Sequence, residues 1–528
     1  MGERDAIAGA VRSRHGRRAW IYGLGLATGV LAGLVAVAYR LLASWLDALR
    51  TGAFPGPDPW RFPVIAAWVA LTATAGAATA FMVRKAPLIK GSGIPQVKAA
   101  LQRRLGMDWV RELPLKFLGG SLALGTGLSL GREGPSIQLG ALVGAGVADL
   151  SGRTEAKRYL VTAGAAAGIA AAFNAPLAGV LFCLEELHRS FSPVMLTCSM
   201  VAAFAAHAVA WLLAGGESVF GFPVQTVLPL GLYPAIVVIG AACGLAGAGF
   251  NAAIVGAQKL WKAAVPPEWL RLVLAFIAGG LVAVAAPGIA GGGAPMVDLV
   301  AGGGIPLAVL AALAVGKFVF TTLSYGSGAP GGIFLPMLVI GAMLGGIGGR
   351  GLEAAGAGAS WMGNCVMLGM VGFFTAVVRA PVTGAILIAE MSGSFAHFPA
   401  LMLSAVVASL TASLLRSPPI YDTLLARLVA ADGIPGTTPR GERHTIIHVP
   451  VLEGSVIDTC ANAQALMPEG SVLVCVQRGE DESIPRPGMD IHPGDVLVML
   501  VDGGNERDIR RRVAELAGAR SGSVESER

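Results

Sequence analysis

A chain of 528 residues in which 54% are hydrophobic and only 14% charged is not an ordinary soluble protein, where about a quarter of residues carry charge. At this composition a water-facing fold would aggregate. The formal net charge of +6 is modest for the length and gives no reason to expect a nucleic-acid partner.

In chain order, Arg12, Arg14, Arg17 and Arg18 precede the first apolar run, and the positive-inside rule holds this segment, residues 1–18, in the cytoplasm. A cleaved signal peptide is the rival reading, but its apolar core would span only about 7–15 residues and end in a small-residue cleavage site. Stretches such as 20–46 and 228–250 are long enough to cross a hydrocarbon core of about 30 Å. Glycine, 74 of 528 residues, is about twice its usual share near 7%. In lipid, small residues let helices pack backbone to backbone, so a tight, irregular helical bundle is expected. Cys183, Cys198, Cys243, Cys365, Cys460 and Cys475 form no CxxC pair and have no neighbouring histidine, so they read as small packing residues rather than metal ligands or disulfides.

Three Gly/Pro breaks interrupt the apolar segments: GSGIPQ (91–96), GREGP (131–135) and GGIFLP (331–336). Each reads as a turn feeding a helix start within the membrane, where the first amide N–H groups lack intrahelical partners and the macrodipole adds partial positive charge. Such ends attract anions without a buried cation. In lipid, irregular backbone survives only inside protein or along a wet cavity, so three breaks suggest one cavity. Any single break could equally be a kinked helix. Glu133, inside the second break, is costly there unless paired or functional; it reads either as an ion pair with Arg132 or as a carboxylate competing with anions.

The chain also repeats itself. AAFNAPLAGVLFCLEEL (171–187) resembles AVVRAPVTGAILIAEM (376–391), with Ala175/Ala380, Pro176/Pro381, Gly179/Gly384 and Glu185/Glu390 at one offset. Upstream lie LKFLGG and LSLGREGPSIQLG in the first half, GKFVF and LSYGSGAPGGIFLP in the second. Two blocks in matching order predict the inverted repeats of transporters, with the site at their interface.

GSGIP, GREGP, GGIFLP and the tyrosine of PPIYDTLLAR, in this order and at this spacing, resemble the four anion-site segments of the chloride channel and transporter (CLC) family across residues 20–430. The resemblance implies an all-α polytopic membrane protein: two inverted-topology repeats, roughly 19–215 and 228–430, with broken and re-entrant helices meeting at an anion pore. It also implies a homodimer with one pore per subunit, embedded in the cell inner membrane with both termini cytoplasmic. Chloride and protons would be the substrate ions, with no cofactor and no enzymatic activity. Carried over by motif, Ser92 and Tyr421 donate hydroxyls to a central anion, the amides of Ile333 and Phe334 complete that site, and Gly131, Arg132 and Gly134 frame an outer one. Glu133 is the gate, Glu186 the internal proton-transfer glutamate and Glu185 its neighbour that orders water. Lys116 raises the anion potential beneath the pore, and Lys317 is its repeat counterpart.

Read from the residues alone, Ser92 could cap a helix and Tyr421 anchor at the interface, while Lys317 could pack or snorkel. Glu185 and Glu186 could simply mark a cytoplasmic helix end. Neutral hydroxyl donors nevertheless suit conduction, because an ion must also leave. The chain departs from the family pattern after GSGIP, carrying Gln96 and Lys98 where many members have acids. Ser92 together with Glu186 points to chloride rather than nitrate or fluoride.

Apolar character ends near Val429. Residues 431–443 read as a linker rich in Gly, Pro and Thr, followed by β-type runs at 446–451, 471–478 and 495–501 and a charged helix at 505–516. The unit at 444–518 resembles the TrkA C-terminal (RCK-C) type of module. That resemblance implies a small α+β regulatory domain, a candidate for dimerising and for binding a small-molecule or nucleotide ligand; residues 519–528 are expected to be a disordered tail. Proton-coupled chloride exchange is the expected function, with a passive chloride channel as the alternative. A membrane enzyme using GREGP to cradle phosphate lacks a His/Asp/Cys grouping near the break. A protein that is chiefly a sensor would depend wholly on the tail.

Overall fold

The computed structural model describes residues 2–53, 62–189, 192–215, 220–221, 226–431, 444–452, 454–457, 466–478, 481–486, 489–502 and 506–518. Two compact units, Met1–Leu428 and Val429–Arg528, divide the chain where its apolar character ends. The expected linker and terminal tail fall almost wholly outside the described residues. The N-terminal segment continues into the first helix, Gly2–Ala53, and its arginine side chains also lie outside them.

Among the described residues seven helices are long and apolar enough to cross a membrane: Ala19–Gly52, Pro63–Lys85, Pro193–Ala214, Leu230–Ala264, Glu268–Ala285, Leu307–Gly326 and Phe334–Ala354. The last is buried over 67% of its most apolar window, against 28% to 44% for the other six, so of these seven Phe334–Ala354 lies deepest in the fold and the rest turn apolar faces outward. Between them lie pieces too short to span. Ile94–Leu101 and Ala294–Ala301 have 8 residues each, a rise of about 12 Å against a core of about 30 Å. Both start the same way: Gly93 and Gly293 stand at φ 87°, a left-handed conformation that costs glycine little, and Pro95 and Pro295 follow in the first turn, where a missing N–H is harmless.

The second half repeats the first helix by helix. Trp109–Gly125, Glu133–Leu150, Lys157–Phe173, Pro176–Phe182 and Pro193–Ala214 are followed in the same order by Leu307–Gly326, Phe334–Ala354, Met362–Val378, Pro381–Ser392 and Phe398–Leu414. The halves meet at one antiparallel bridge, Gly131 with Gly332, whose N–H groups donate to each other's carbonyls at 2.7 and 2.8 Å. Within each half, glycines let backbones touch. A Cβ on Gly140 would overlap the Gly164 carbonyl, and one on Gly369 the Gly341 carbonyl, the close packing expected of small residues in lipid.

The C-terminal unit contains an antiparallel sheet of β1 (His444–Pro450), β2 (Ser471–Arg478), β3 (Asp481–Ser483) and β4 (Val496–Asp502) in the order β1-β4-β2-β3. Ile447, Val449, Leu473, Val476, Leu497, Met499 and Val501 form one apolar face, which covers Ile509 and Val513 of the Glu506–Leu516 helix. The small α+β tail is therefore present, with β3 as a strand not expected from the sequence. Asp495, next to β4, is buried and takes two guanidinium bonds from Arg478 at 2.8 Å each and the His492 N–H at 2.9 Å. The Arg478 bonds hold its carboxyl below the usual aspartate range. A depressed folded-state value means the stabilisation is present above about pH 4, the ordinary aspartate value, and is lost as pH falls through the folded value. Thermal unfolding of the tail should therefore shift to lower temperature on acidification below about pH 4. Asp495→Asn should lower it already at neutral pH and flatten that dependence, as circular dichroism melts would register.

Candidate functional site

Three helices begin around the Gly131–Gly332 bridge without a capping side chain from the residue ahead of them: Ile94–Leu101, Glu133–Leu150 and Phe334–Ala354. Their first amides are therefore left for another ligand. Tight backbone contact brings the breaks together. The Gly331 N–H donates to the Gly91 carbonyl at 2.9 Å, and a Cβ on Gly134 would lie 3.0 Å from Ser92 Cβ and 3.1 Å from Gly332 Cα. A side chain at 134 would therefore crowd the convergence of GSGIP, GREGP and GGIFLP.

The Glu133 carboxylate occupies part of this convergence. It is buried and faces the backbone N–H of Leu335 and its own N–H, and Oε2 has no hydrogen-bond partner. Its pairing with Arg132 is loose: Nε to Oε1 is 3.8 Å, Arg132 Nε makes no hydrogen bond, and Arg132 Nη1 reaches Ser44 instead. An acid held by helix-start amides, with one oxygen unpaired, fits a displaceable ligand better than a structural ion pair.

Ser92 is buried; its Oγ lies 3.4 Å from the Ile94 N–H, too long for a strong cap, and the Tyr325 phenol lies beside the Gly91–Ser92 turn. Tyr421 is fully buried, so it is no interfacial anchor, and its hydroxyl has no hydrogen-bond partner. That hydroxyl stands within electrostatic reach of Glu133, Glu186 and Tyr325 together. The phenol packs edge-on against Phe182 at 6.4 Å between ring centres. Phe334 in turn meets Phe182, Phe173 and Phe374 at 5.9, 5.0 and 4.8 Å. This aromatic wall joins both halves, and of its phenylalanines only Phe334 was singled out from the sequence, for its amide.

Lys116 is fully buried and donates to the carbonyls of Ile89 and Gly91 at 2.8 and 2.7 Å. Lys317 does the same for Ile289 and Gly291, at 3.1 and 2.6 Å. Each lysine straps the loop ahead of a short helix, which excludes snorkelling for Lys317 and places the Lys116 charge one residue from Ser92.

The two neighbouring acids diverge. The helix Pro176–Phe182 runs into a single π turn, Cys183–His188. Glu185 crosses to the other half, where Oε2 accepts the Thr383 N–H at 2.8 Å and the Thr383 hydroxyl at 2.7 Å, and Oε1 the Val382 N–H at 3.3 Å. Glu390 returns the favour, accepting the N–H groups of Leu177 and Ala178 at 3.0 and 2.8 Å. Each half thus caps a helix start of the other with a carboxylate, which closes those starts to anions, whereas the starts at the bridge have no carboxylate from the opposite repeat's capping position. Both oxygens of Glu185 are engaged in capping.

Glu186 points elsewhere. It is buried, and its Oε1 accepts from Lys98 Nζ at 2.7 Å. The same Nζ bonds Asp422 Oδ1 at 2.7 Å, and the other Asp422 oxygen takes Arg189. Among the described residues no cluster of three or more His, Cys, Asp or Glu could hold a metal ion.

Residues 75–413 match the family model described as voltage gated chloride channel. The H(+)/Cl(-) exchange transporter ClcA of Cronobacter sakazakii (strain ATCC BAA-894) is 36% identical over 418 residues, covering 76% of this chain and 88% of that protein. The protein of the same name from Salmonella typhi is 34% identical over 425 residues, covering 76% and 87%. Among solved structures, a slow cyanobacterial Cl-/H+ antiporter superposes with a TM-score of 0.73 at 27% identity, covering 78% of this chain and 98% of the other.

Proposed function

The chain belongs to the voltage gated chloride channel (CLC) family, and we propose from this premise that it exchanges chloride for protons across a membrane, with Glu133 as the gate and Glu186 as the internal proton-transfer group. The observation that carries the reading is the Tyr421 hydroxyl, buried and unpartnered, within electrostatic reach of both glutamates. A neutral donor there can bind an anion without trapping it. One acid lies at helix-start amides that suit an anion; the other sits in the π turn that follows Phe182, beside charges that reach the exposed side chain of Arg189. Chloride would displace the Glu133 carboxylate from those amides, the freed carboxylate would take a proton that Glu186 received from the inner side and release it outside, and the return of the bare carboxylate to the amides would drive the anion inward, so that proton and chloride cross in opposite directions. The relatives' names, H(+)/Cl(-) exchange transporter, support the same substrate pair.

Within this reading the subunit pairs with a second copy in the inner membrane, both termini face the cytoplasm, and the α+β tail is regulatory. A passive chloride channel is favoured by one observation: Lys98 holds charge on the carboxylate that must be neutralised to carry protons. Glu186→Gln tests the role of that acid in exchange. In proteoliposomes the variant should lose chloride-driven proton movement while chloride flux persists. Unchanged proton movement would remove Glu186 from the path.

A further inference from the structure

The ionic cluster behind Glu186 joins three separate parts of the chain: Lys98 on the helix after GSGIP, Glu186 in the π turn, and Asp422 one residue past Tyr421. Lys98 and Glu186 are 3% and 2% exposed at the side chain, and Lys98 Nζ lies 2.7 Å from each of two carboxylates. Asp422 is held on its far side by Arg189. We infer that Lys98 is a shared positioning residue for proton transfer, an ammonium that bridges Glu186 and Asp422 and stays on Asp422 when Glu186 gains its proton. The inference rests on the role of Glu186 proposed above.

The argument turns on what protonation leaves behind. A buried ammonium whose only partner becomes neutral is an uncompensated charge, and breaking a buried pair in this way is strongly unfavourable. Here a proton taken from water neutralises Glu186, but Nζ keeps its bond to Asp422, so the cation is never stranded. Asp422 loses nothing either, since Arg189 remains on its second oxygen. Two carboxylates around one ammonium thus make the neutral state of Glu186 reachable. The remaining groups near the π turn are committed elsewhere. His188 binds Thr162 Oγ1 at 2.6 Å and Arg158 at 3.3 Å, Glu185 caps the helix at Pro381, and the Tyr421 hydroxyl is neutral.

The two partners of Glu186 therefore act in opposite senses. A cation beside a carboxylate favours its charged form, so Lys98→Gln should move the pH of half-maximal chloride-driven proton transport upward. Asp422→Asn leaves Lys98 to Glu186 alone and should move it downward, each by about one pH unit or more. Lys98→Arg, which keeps the charge, should restore a profile near that of the unmutated protein. The profiles are measured in proteoliposomes, with chloride flux checking that each variant is folded. Shifts in the same direction for Lys98→Gln and Asp422→Asn, or no shift in either, would overturn the inference, because a purely structural cluster predicts loss of rate without opposed displacements. Retained proton coupling in Glu186→Gln would instead defeat the functional reading on which it rests.

Discussion

Glu133→Ala should abolish proton coupling: a chloride gradient across reconstituted vesicles drives no proton movement above the leak, while chloride itself still crosses. The side chain is a titratable group placed where helix-start amides would otherwise face an anion, and alanine can neither carry a proton nor close that position. The same substitution should raise chloride occupancy. A carboxylate accepting amide hydrogen bonds in a buried site is stabilised by about 1.5–3 kcal/mol, and chloride must overcome that to displace it. At about 1.4 kcal/mol per factor of ten, the variant should bind chloride roughly tenfold to a hundredfold more tightly in a calorimetric titration. Unchanged affinity would mean that Glu133 and chloride do not share the site.

Loss of the reciprocal caps should be the largest effect on stability. Glu185 and Glu390 each satisfy two helix-start amides across the boundary between halves, one part-buried and one exposed in each pair, and leaving the part-buried amide unpaired costs about 1 kcal/mol, the low end for a buried group. Glu185→Ala and Glu390→Ala should each lower the melting temperature of the detergent-purified protein, and the double variant should lower it by at least their sum. Glu185→Gln keeps an acceptor oxygen and should be milder. Because capping needs no proton, Glu185→Gln should also leave the proton-to-chloride ratio in place. A fall in that ratio would place Glu185 on the proton path beside Glu186, the role the family resemblance implies.

What could be read from the sequence follows from range. Gly93 with Pro95 is a local signal, a left-handed turn followed by a first-turn proline, and Gly131 with Pro135 marks a break with a proline in the first turn of the next helix, so the breaks and their offset between the halves were legible. The small soluble unit was legible too, except β3, whose three residues, Asp481–Ser483, are too few for alternation to register. The pairings that give the acids their roles were hidden, because they join residues far apart in the chain. Glu185 meets Thr383, and Lys98 was visible only as a departure in charge, with its partners Glu186 and Asp422 on other helices. One signal could have pointed to the caps. Glu185 and Glu390 hold the same position in the two repeats, and an acid duplicated by a two-fold repeat has an equivalent helix start to meet in the other half. The aromatic wall of Phe173, Phe182 and Phe374 had no such signal, since phenylalanine in an apolar segment reads as packing.

The central claim is that anion and proton movements are obligatorily linked, and it is tested most directly on the unmutated protein. Vesicles containing the purified protein are loaded with high chloride and diluted into low chloride at equal pH, with external pH and chloride recorded together. Exchange predicts that chloride leaving the vesicles drives protons inward against a growing pH gradient, so the external solution becomes alkaline and stays so until a protonophore collapses it. Chloride efflux with no change in external pH would contradict the account and identify the protein as a passive anion channel.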